Sequence, residues 1–545
     1  MRDEGEGEDA VKGIIVCPQP QAAERGIAVL KRGGNAVDAA VTTAFLQMIV
    51  SPMMCGVGGF GQMHIYLAGS GEEKVIDFHA KAGSKATPAM WETIVLGEER
   101  EGFGYALKGA VNAAGYTSVM VPGTVRGLYE GLTRYGTLSW KEACQPAIHL
   151  AEHGFTVSQE QATSWTVYPD RFQRFLVTPE AARLYTKGGQ PYGAGDVIVN
   201  KDYAKSLRII ASSGVDAFYH GEIATKIVDD MEAHGGFLAY EDLEAYEPTI
   251  YEPLTTEYRG VTIASNDAPG GGLTLLELLN IIEGYDVSQY DWAGMGSDVA
   301  EYIHLLAMAM RAAQADRARY VGDPAFVEVP TKMLTSKKRA AEWRERIDAG
   351  ERIRVPKWPM EPPSTTHVSV VDSAGNAVSL THTLGSSSGV ITPGLGFMYN
   401  NAMINFDPVP GHPNSIAPGK SRLTQMSPTI VLKHGAPFIV LGAPGGGKIV
   451  SALVQTILHV LDQGMTIYEA VAHPRVFCLH TDIIDVGARI PDYVCDELEA
   501  KGNLVAKAPQ SYAPMALVQA ILLDREKGRV YGGSDPRGGG IFIST

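Results

Sequence analysis

From residue 366 to 384 the chain reads THVSVVDSAGNAVSLTHTL, β-branched and alternating on both sides of a central Asp372-to-Asn376 stretch. Alternation with period two and turn residues at the midpoint predict an antiparallel hairpin. The stretch before it, Lys337 to Pro363, is rich in charge and ends in Pro359, Pro362 and Pro363. Proline fixes φ and bars the preceding residue from the helical basin, so this stretch is expected to be extended and loop-like. The change of texture at its end is the strongest internal boundary of the chain. If residues 372 to 376 form the loop, position 371 faces 377 and Thr365 faces Thr383; a slip of one residue would part them. Two readings of that pair stay open. Sheets often use cross-strand threonine pairs. Alternatively, a cut before Thr365 would free an α-amine able to act as base for its own hydroxyl, with Thr383 bonding that hydroxyl. The proline-rich lead-in makes such a cut sterically reasonable.

A hairpin of this kind needs a body around it. The 545 residues suffice for about three domains or one large α/β unit, and 45% hydrophobic with 20% charged residues is the mix of a folded globule. A formal charge of −15 argues against a nucleic-acid partner. Five cysteines show no paired spacing, and fourteen histidines form no HExxH-like pair, so neither a disulfide framework, a metal site nor a cofactor is expected. The start, MRDEGEGEDAV, lacks the basic end and apolar stretch of a secretory signal, and the cytoplasm is the expected location. Ala39 to Met63 is apolar but broken by Gln47, Pro52 and glycines; it reads as buried helix and glycine loop, and no membrane partner is expected.

Ala23, Ile27 and Leu30 predict a helix stopped at Gly33-Gly34, and Asn35 caps a second one through Val37, Ala40, Val41, Ala44 and Met48 up to Pro52. The span from about 120 to 350 reads mainly as helices, including Trp140 to Glu152, Tyr203 to Ser213 and Ser297 to Tyr320. In the last of these, Met308 and Met310 suggest core packing, while Arg311, Asp316 and Arg317 suggest a solvated or salt-bridged face.

Two generic motifs fail on their neighbours. GAPGGGKI, Gly442 to Ile449, fits a phosphate loop but has Ile449 where Ser or Thr must hold magnesium. GSSSG, Gly385 to Gly389, fits a nucleophile elbow, but Val390 to Pro393 is poor helix.

Taken together, the stretches AAERGIAVLKRGGNAVDAAV, PMMCGVGGFGQM, VPGTVRGL, QPAIHLAEHGFTVS, FYHGEIA, MRAAQADRARYVGDP, TTHVSVVDSAGNAVSLTHT, NNAMINFDP, QMSPTIVL, GAPGGGKI and SDPRGGG resemble the γ-glutamyltransferase family of N-terminal-nucleophile hydrolases. The match is collinear from about residue 13 to the C-terminus. The resemblance implies an α/β fold, a four-layer αββα sandwich, made from a proenzyme that cuts itself between Ser364 and Thr365. Residues 1–12 would be an acidic extension, 13–364 the large subunit and 365–545 the small one. The two products would associate as one intertwined catalytic domain, with a homo-oligomer left open. It makes Thr365 the nucleophile and Thr383 its partner. It makes Gly445 and Gly446 oxyanion donors, a contribution of roughly 3–4 kcal/mol each.

The donor pocket departs from the family pattern. An arginine is expected at His79, an asparagine at Gly385, a glutamine at Ala402, an amine-binding aspartate at Asn405, and two serines at Thr424 and Gln425. Losing the arginine and the aspartate together argues against a plain γ-glutamyl donor, since each loss leaves a substrate charge unpaired. His79 and Lys81 could instead hold an acidic group. The expected function is an autoprocessed amidohydrolase or acyltransferase acting on a small carboxylated amide, similar to the family's oxamate amidohydrolases and cephalosporin acylases. A true γ-glutamyltransferase or glutathione hydrolase with a rearranged pocket, and a non-catalytic binding protein, are the alternatives.

Overall fold

The hairpin folds in the expected register. Strand Thr366–Asp372 pairs antiparallel with Ala377–Thr383, Val371 opposite Ala377 and Thr366 opposite His382, with Asp372 Oδ1 accepting from the Ala374 and Asn376 amides to close the turn. The computed structural model describes residues 13–98, 105–167, 169–355, 364–478, 483–512 and 515–545. The acidic extension and the prolines at 359, 362 and 363 lie outside the described residues.

The hairpin is the centre of a seven-stranded sheet, ordered Ile541–Ser544, Gly13–Cys17, Thr366–Asp372, Ala377–Thr383, Phe60–Leu67, Glu72–Phe78 and Thr249–Tyr251. A six-stranded sheet follows the order Arg529–Ser534, Gln519–Asp524, Ala436–Gly442, Thr429–Lys433, Val261–Ser265 and Leu254–Tyr258. The sheets pack face to face through Ile14, Val16, Val371, Ala377, Ile430, Val440 and Ile521. Helices Pro20–Lys31, Ala36–Val50 and Thr124–Tyr135 cover the outer face of the first sheet, with Trp140–His153 packed on Ala36–Val50. Gly272–Glu283 and Ile449–Leu461 cover the second, with Val299–Tyr320 packed on Gly272–Glu283. The result is the expected αββα order of layers. Strands buried on both faces explain why the hairpin, apart from His367 and His382, is apolar or hydroxylated along its strands and carries an acidic side chain only at its turn. Among the described residues, no helix is long and apolar enough to cross a membrane.

Asn35 caps its helix as expected, in a reciprocal pair with Asp38. Two expectations are corrected, and the reading of residues 120 to 350 as mainly helices holds with one refinement. Lys337–Asp348 is helical: Ser336 caps it, and Ala340 and Trp343 form a buried stripe that outweighs its surface charge. The span read as mainly helical contains the strands Thr249–Tyr251, Leu254–Tyr258 and Val261–Ser265, whose β-branched residues and Arg259-Gly260 turn make a hairpin. Arg311, Asp316 and Arg317 are buried, because Val299–Tyr320 is packed on more than one side. Asp316 takes two bonds from Arg339, at 2.6 and 2.7 Å, and one from Trp343 at 2.8 Å.

Candidate active site

Thr365 lies one residue before its strand, buried, with its hydroxyl 3.1 Å from that of Thr383. It also donates to the Ser364 carbonyl oxygen, which lies 3.2 Å from Thr383 Oγ1. The Gly385 amide donates to Thr383 Oγ1 at 2.9 Å, which fixes that hydroxyl as an acceptor on one side. Two hydroxyls thus converge on the carbonyl of the Ser364–Thr365 peptide bond. Such a cluster can attack that carbonyl. Were the bond cut, the same hydroxyl would stand beside a free amine.

The opposite face of the hairpin is held by an uncharged network. Gln47, on the buried helix Ala36–Val50, donates to Thr366 Oγ1 and to the His367 carbonyl, both at 3.0 Å, and its oxygen meets His382 Nε2 at 2.9 Å. On the same face as Thr365, His367 Nδ1 meets Thr381 Oγ1 at 2.8 Å, with its ring against Gly442 of the second sheet. Burial pushes both imidazoles down to about 3, so both are neutral at ordinary pH.

Thr383 pairs with Phe60, and the next strand pairs Gly61 with Phe78, so His79 follows Phe60 in the same register. Thr365, Thr383, Phe60 and His79 therefore make one row across the strand ends, with roughly 4.8 Å between neighbouring backbones. The rings of Phe60 and His79 are 5.7 Å apart. His79 Nδ1 binds Asp77 Oδ1 at 2.7 Å, while its buried Nε2 has no partner among the described residues. Burial alone would push the Asp77 carboxyl up, but His79 and Gln62 hold it below its ordinary value, so Asp77 is ionised. Arg422, fully buried, lies 5.0 Å over the Phe60 ring, and its Nη1 donates to the Leu423 carbonyl at 2.6 Å. No sequence pattern singled out Arg422, Phe60 or Gln47; a lone arginine before the apolar QMSPTIVL stretch was the available signal.

Asn405 ends the short turn Ala402–Asn405, with its side-chain oxygen buried and unpartnered among the described residues. Gly385 has φ +73, and a Cβ there would come within 2.3 Å of Asn401 Oδ1. Asn401 occupies the space an asparagine at 385 would need, with its own amide bound to the Ser386 amide, Ser386 Oγ and the Ala113 carbonyl. Thr424 and Gln425 are buried; the Thr424 carbonyl accepts from Arg317 at 2.6 Å, and Gln425 lines a cavity with Met310, Gln314 and Ser451. Lys81 is not brought to this row: its ammonium donates to the Glu247 carbonyl at 2.9 Å and lies over Tyr246.

The strand Ala436–Gly442 meets the hairpin through Ser379 Oγ, which donates to the Leu441 carbonyl at 2.8 Å. The glycine loop leaves this strand, with Gly446 at φ +55, and enters helix Ile449–Leu461. Strand, loop and helix follow in phosphate-loop order, but Lys448 turns to Asp485, 3.7 Å away, and to the Phe477 ring. Ser387 of the elbow-like motif is buried against Met398, with no helix after it. Among the described residues no cluster of histidine, cysteine and carboxylate could hold a metal.

The family model described as Gamma-glutamyltranspeptidase matches residues 22–544. The "Acylase ACY 1 proenzyme" of Pseudomonas sp. (strain SE83) is 38% identical over 92% of this chain and 88% of its own length. The "Glutathione hydrolase proenzyme" of Bacillus subtilis (strain 168) is 34% identical over 97% of this chain and 91% of its own. Among solved structures, cephalosporin acylase from Bacillus halodurans superposes with a TM-score of 0.86 at 26% identity, covering 100% of this chain and 97% of that one.

Proposed function

The chain belongs to the gamma-glutamyltranspeptidase family of amide hydrolases and acyl transferases, and from that premise we propose that it is a proenzyme whose Thr365 first cuts its own chain and then carries acyl groups. The observation that supports this most is the convergence of the Thr365 and Thr383 hydroxyls on the Ser364 carbonyl. In maturation, Thr365 Oγ1 bonds to the Ser364 carbonyl carbon, the C–N bond breaks, and the hydroxyl proton passes to the nitrogen. Water then cleaves the resulting ester. Residues 365–545 are left with a free N-terminal amine, associated with 13–364 through the shared sheets.

The freed amine takes the Thr365 hydroxyl proton as the oxygen attacks a donor amide. The donor's C–N bond breaks, its amine departs with that proton, and water or an acceptor amine releases the acyl group. Thr383 orients the attacking oxygen. The Gly445 and Gly446 amides are proposed to stabilise the oxyanion, because only a bare backbone lets a donor approach so closely.

The donor is proposed to be a carboxylated acyl group without the γ-glutamyl ammonium. Positions 79, 385, 402, 405, 424 and 425 carry His, Gly, Ala, Asn, Thr and Gln, so none supplies a carboxylate to an ammonium. The buried Asn405 oxygen suits a neutral N–H or O–H. Lys81 is given no part. A panel of p-nitroanilides with the matured enzyme tests this. Glutaryl anilide, which is γ-glutamyl without its ammonium, should be turned over faster than γ-glutamyl anilide. Efficient γ-glutamyl release, at about 10⁴ M⁻¹s⁻¹ or more, would return the protein to glutathione-hydrolase chemistry.

A further inference from the structure

The motif SDPRGGG, Ser534 to Gly540, places Asp535 fully buried between two guanidiniums. Arg537 Nη1 reaches Asp535 Oδ1 at 2.9 Å, and Arg475 Nη1 reaches Oδ2 at 2.8 Å. Arg475 is itself buried, and its Nη2 donates to the Val471 carbonyl at 2.6 Å, near the end of helix Ile467–Ala472. Its Nη1 also donates to the Ala516 carbonyl at 3.0 Å. Ala516 in turn packs on the glycine loop. A Cβ on Gly445 would come within 2.3 Å of the Ala516 Cβ, and the Leu517 amide donates to the Pro444 carbonyl at 2.8 Å. We infer that Arg475 is a positioning residue for the glycine loop, setting the place of the Gly445 amide through Ala516.

Ala516 is held in a conformation that a residue with a Cβ disfavours. Its φ is +85, in the left-handed region. Such a backbone persists only where its surroundings over-determine it. Here the carbonyl is gripped by a guanidinium whose own place is fixed by Asp535 and Val471. Two residues on, the chain is tied again: the Asp535 amide donates to the Val518 carbonyl at 3.0 Å, and Asp535 Oδ2 accepts from the Val518 amide at 3.3 Å. Between these ties the Ala516 methyl is pressed against Gly445, where only a glycine leaves room for it. Released from Arg475, Ala516 would relax toward negative φ, its carbonyl and methyl would turn, and Gly445 would lose the surface it packs on. If Arg475 only capped the helix, its loss would change stability and leave the loop in place.

The inference rests on the proposed oxyanion role of Gly445 and Gly446, and Gly446→Val, measured beside it, separates the two. The readout is kcat and KM for the p-nitroanilide that the wild type turns over fastest, on the matured two-chain fraction of each variant, with urea midpoints in parallel. Arg475→Gln should lower kcat about 100-fold with KM nearly unchanged, the effect of a donor misplaced by about 1 Å. Arg475→Lys keeps the charge but not the fork that joins Asp535 to Ala516, and should lower kcat about 10-fold. Adding Ala516→Gly to Arg475→Lys should raise kcat again by about 5-fold, because glycine takes a positive φ without a clamp. Unchanged kcat in the Arg475 variants, with kcat lowered in Gly446→Val, overturns the inference and leaves the oxyanion reading standing. Unchanged kcat in Gly446→Val as well removes both. A fall in kcat that Ala516→Gly does not relieve gives Arg475 a part in stability alone and also overturns the inference. Arg475→Lys carries the test if Arg475→Gln does not mature. If neither matures, Ala516→Val carries it: the ion pair stays in place, Gly445 is crowded, and kcat should fall about 10-fold. Unchanged kcat there would overturn the inference too.

Discussion

The two ends of the row from Thr365 to His79 are built on different physics. At the Thr365 end every group is neutral: two threonine hydroxyls, a peptide carbonyl, a glutamine and two imidazoles kept unprotonated by burial. At the His79 end lie an ionised aspartate, an imidazole bonded to it and a buried guanidinium. If Thr365 reacts as proposed, its end can do without charge because the base it needs would be made by the cut itself, so it can sit deep between packed layers. Under the proposed function the His79 end meets a charged substrate, and each cation buried there is costly unless an anion faces it. Reaction and recognition are thus separable, and substitutions at one end should leave the other legible.

The largest effect expected is at the reacting end. Thr365→Ala should remain a single chain and lose turnover by about 10⁴-fold or more, whereas the smaller chain of the wild type should begin Thr-Thr-His-Val on Edman sequencing. A wild type that stays intact yet turns over amides would remove Thr365 from the mechanism. Next comes the glycine loop. Gly446→Val places a β-branched residue at φ +55, which strains the backbone by about 1–2 kcal/mol. If the loop supplies the oxyanion donors, kcat should fall by roughly 10²–10³, far more than the shift in urea midpoint reflects. Unchanged kcat in a folded variant would detach the loop from the chemistry.

The recognising end should respond in preference rather than rate. His79→Arg with Asn405→Asp is expected to raise the ratio of γ-glutamyl to glutaryl turnover by about 10-fold or more, with maturation unaffected. A ratio that does not move would mean that these two positions do not read the donor. The smallest effect expected is on stability. His367 and His382 refuse protons in the fold until about pH 3, while the unfolded chain accepts them below its ordinary value of 6.5. Over that window the unfolded state binds more protons, so stability falls as pH falls, by at most about 1.4 kcal/mol per pH unit for each group. Urea midpoints at pH 7, 6 and 5 should show this slope, shallower in His382→Gln. Equal slopes would show that carboxylates alone set the acid response.

The parts legible in sequence share a property: each depends on residues close along the chain. Alternation over Thr366 to Thr383 and the turn between the strands set the register that brings two hydroxyls together, because one missed step would flip every side chain. Asn35 and Asp38 cap a helix three residues apart. The family motifs singled out Thr365 and the glycine loop for the roles proposed here, and they picked out the six positions read as departing from the family pattern. Tertiary structure decided what has no local pattern. Arg422 reaches Phe60 from more than 300 residues away, and Gln47 reaches the hairpin over a comparable gap. Arg311, Asp316 and Arg317 look solvated or salt-bridged at a surface until other layers close over their helix, Asp316 keeping its ion pair with Arg339, and Lys81 looks available until Glu247 and Tyr246 arrive beside it. Register is fixed by steric alternation along one strand, which a sequence displays. Charge placement is fixed by which distant surfaces exclude water together, and that exists only once the layers have packed.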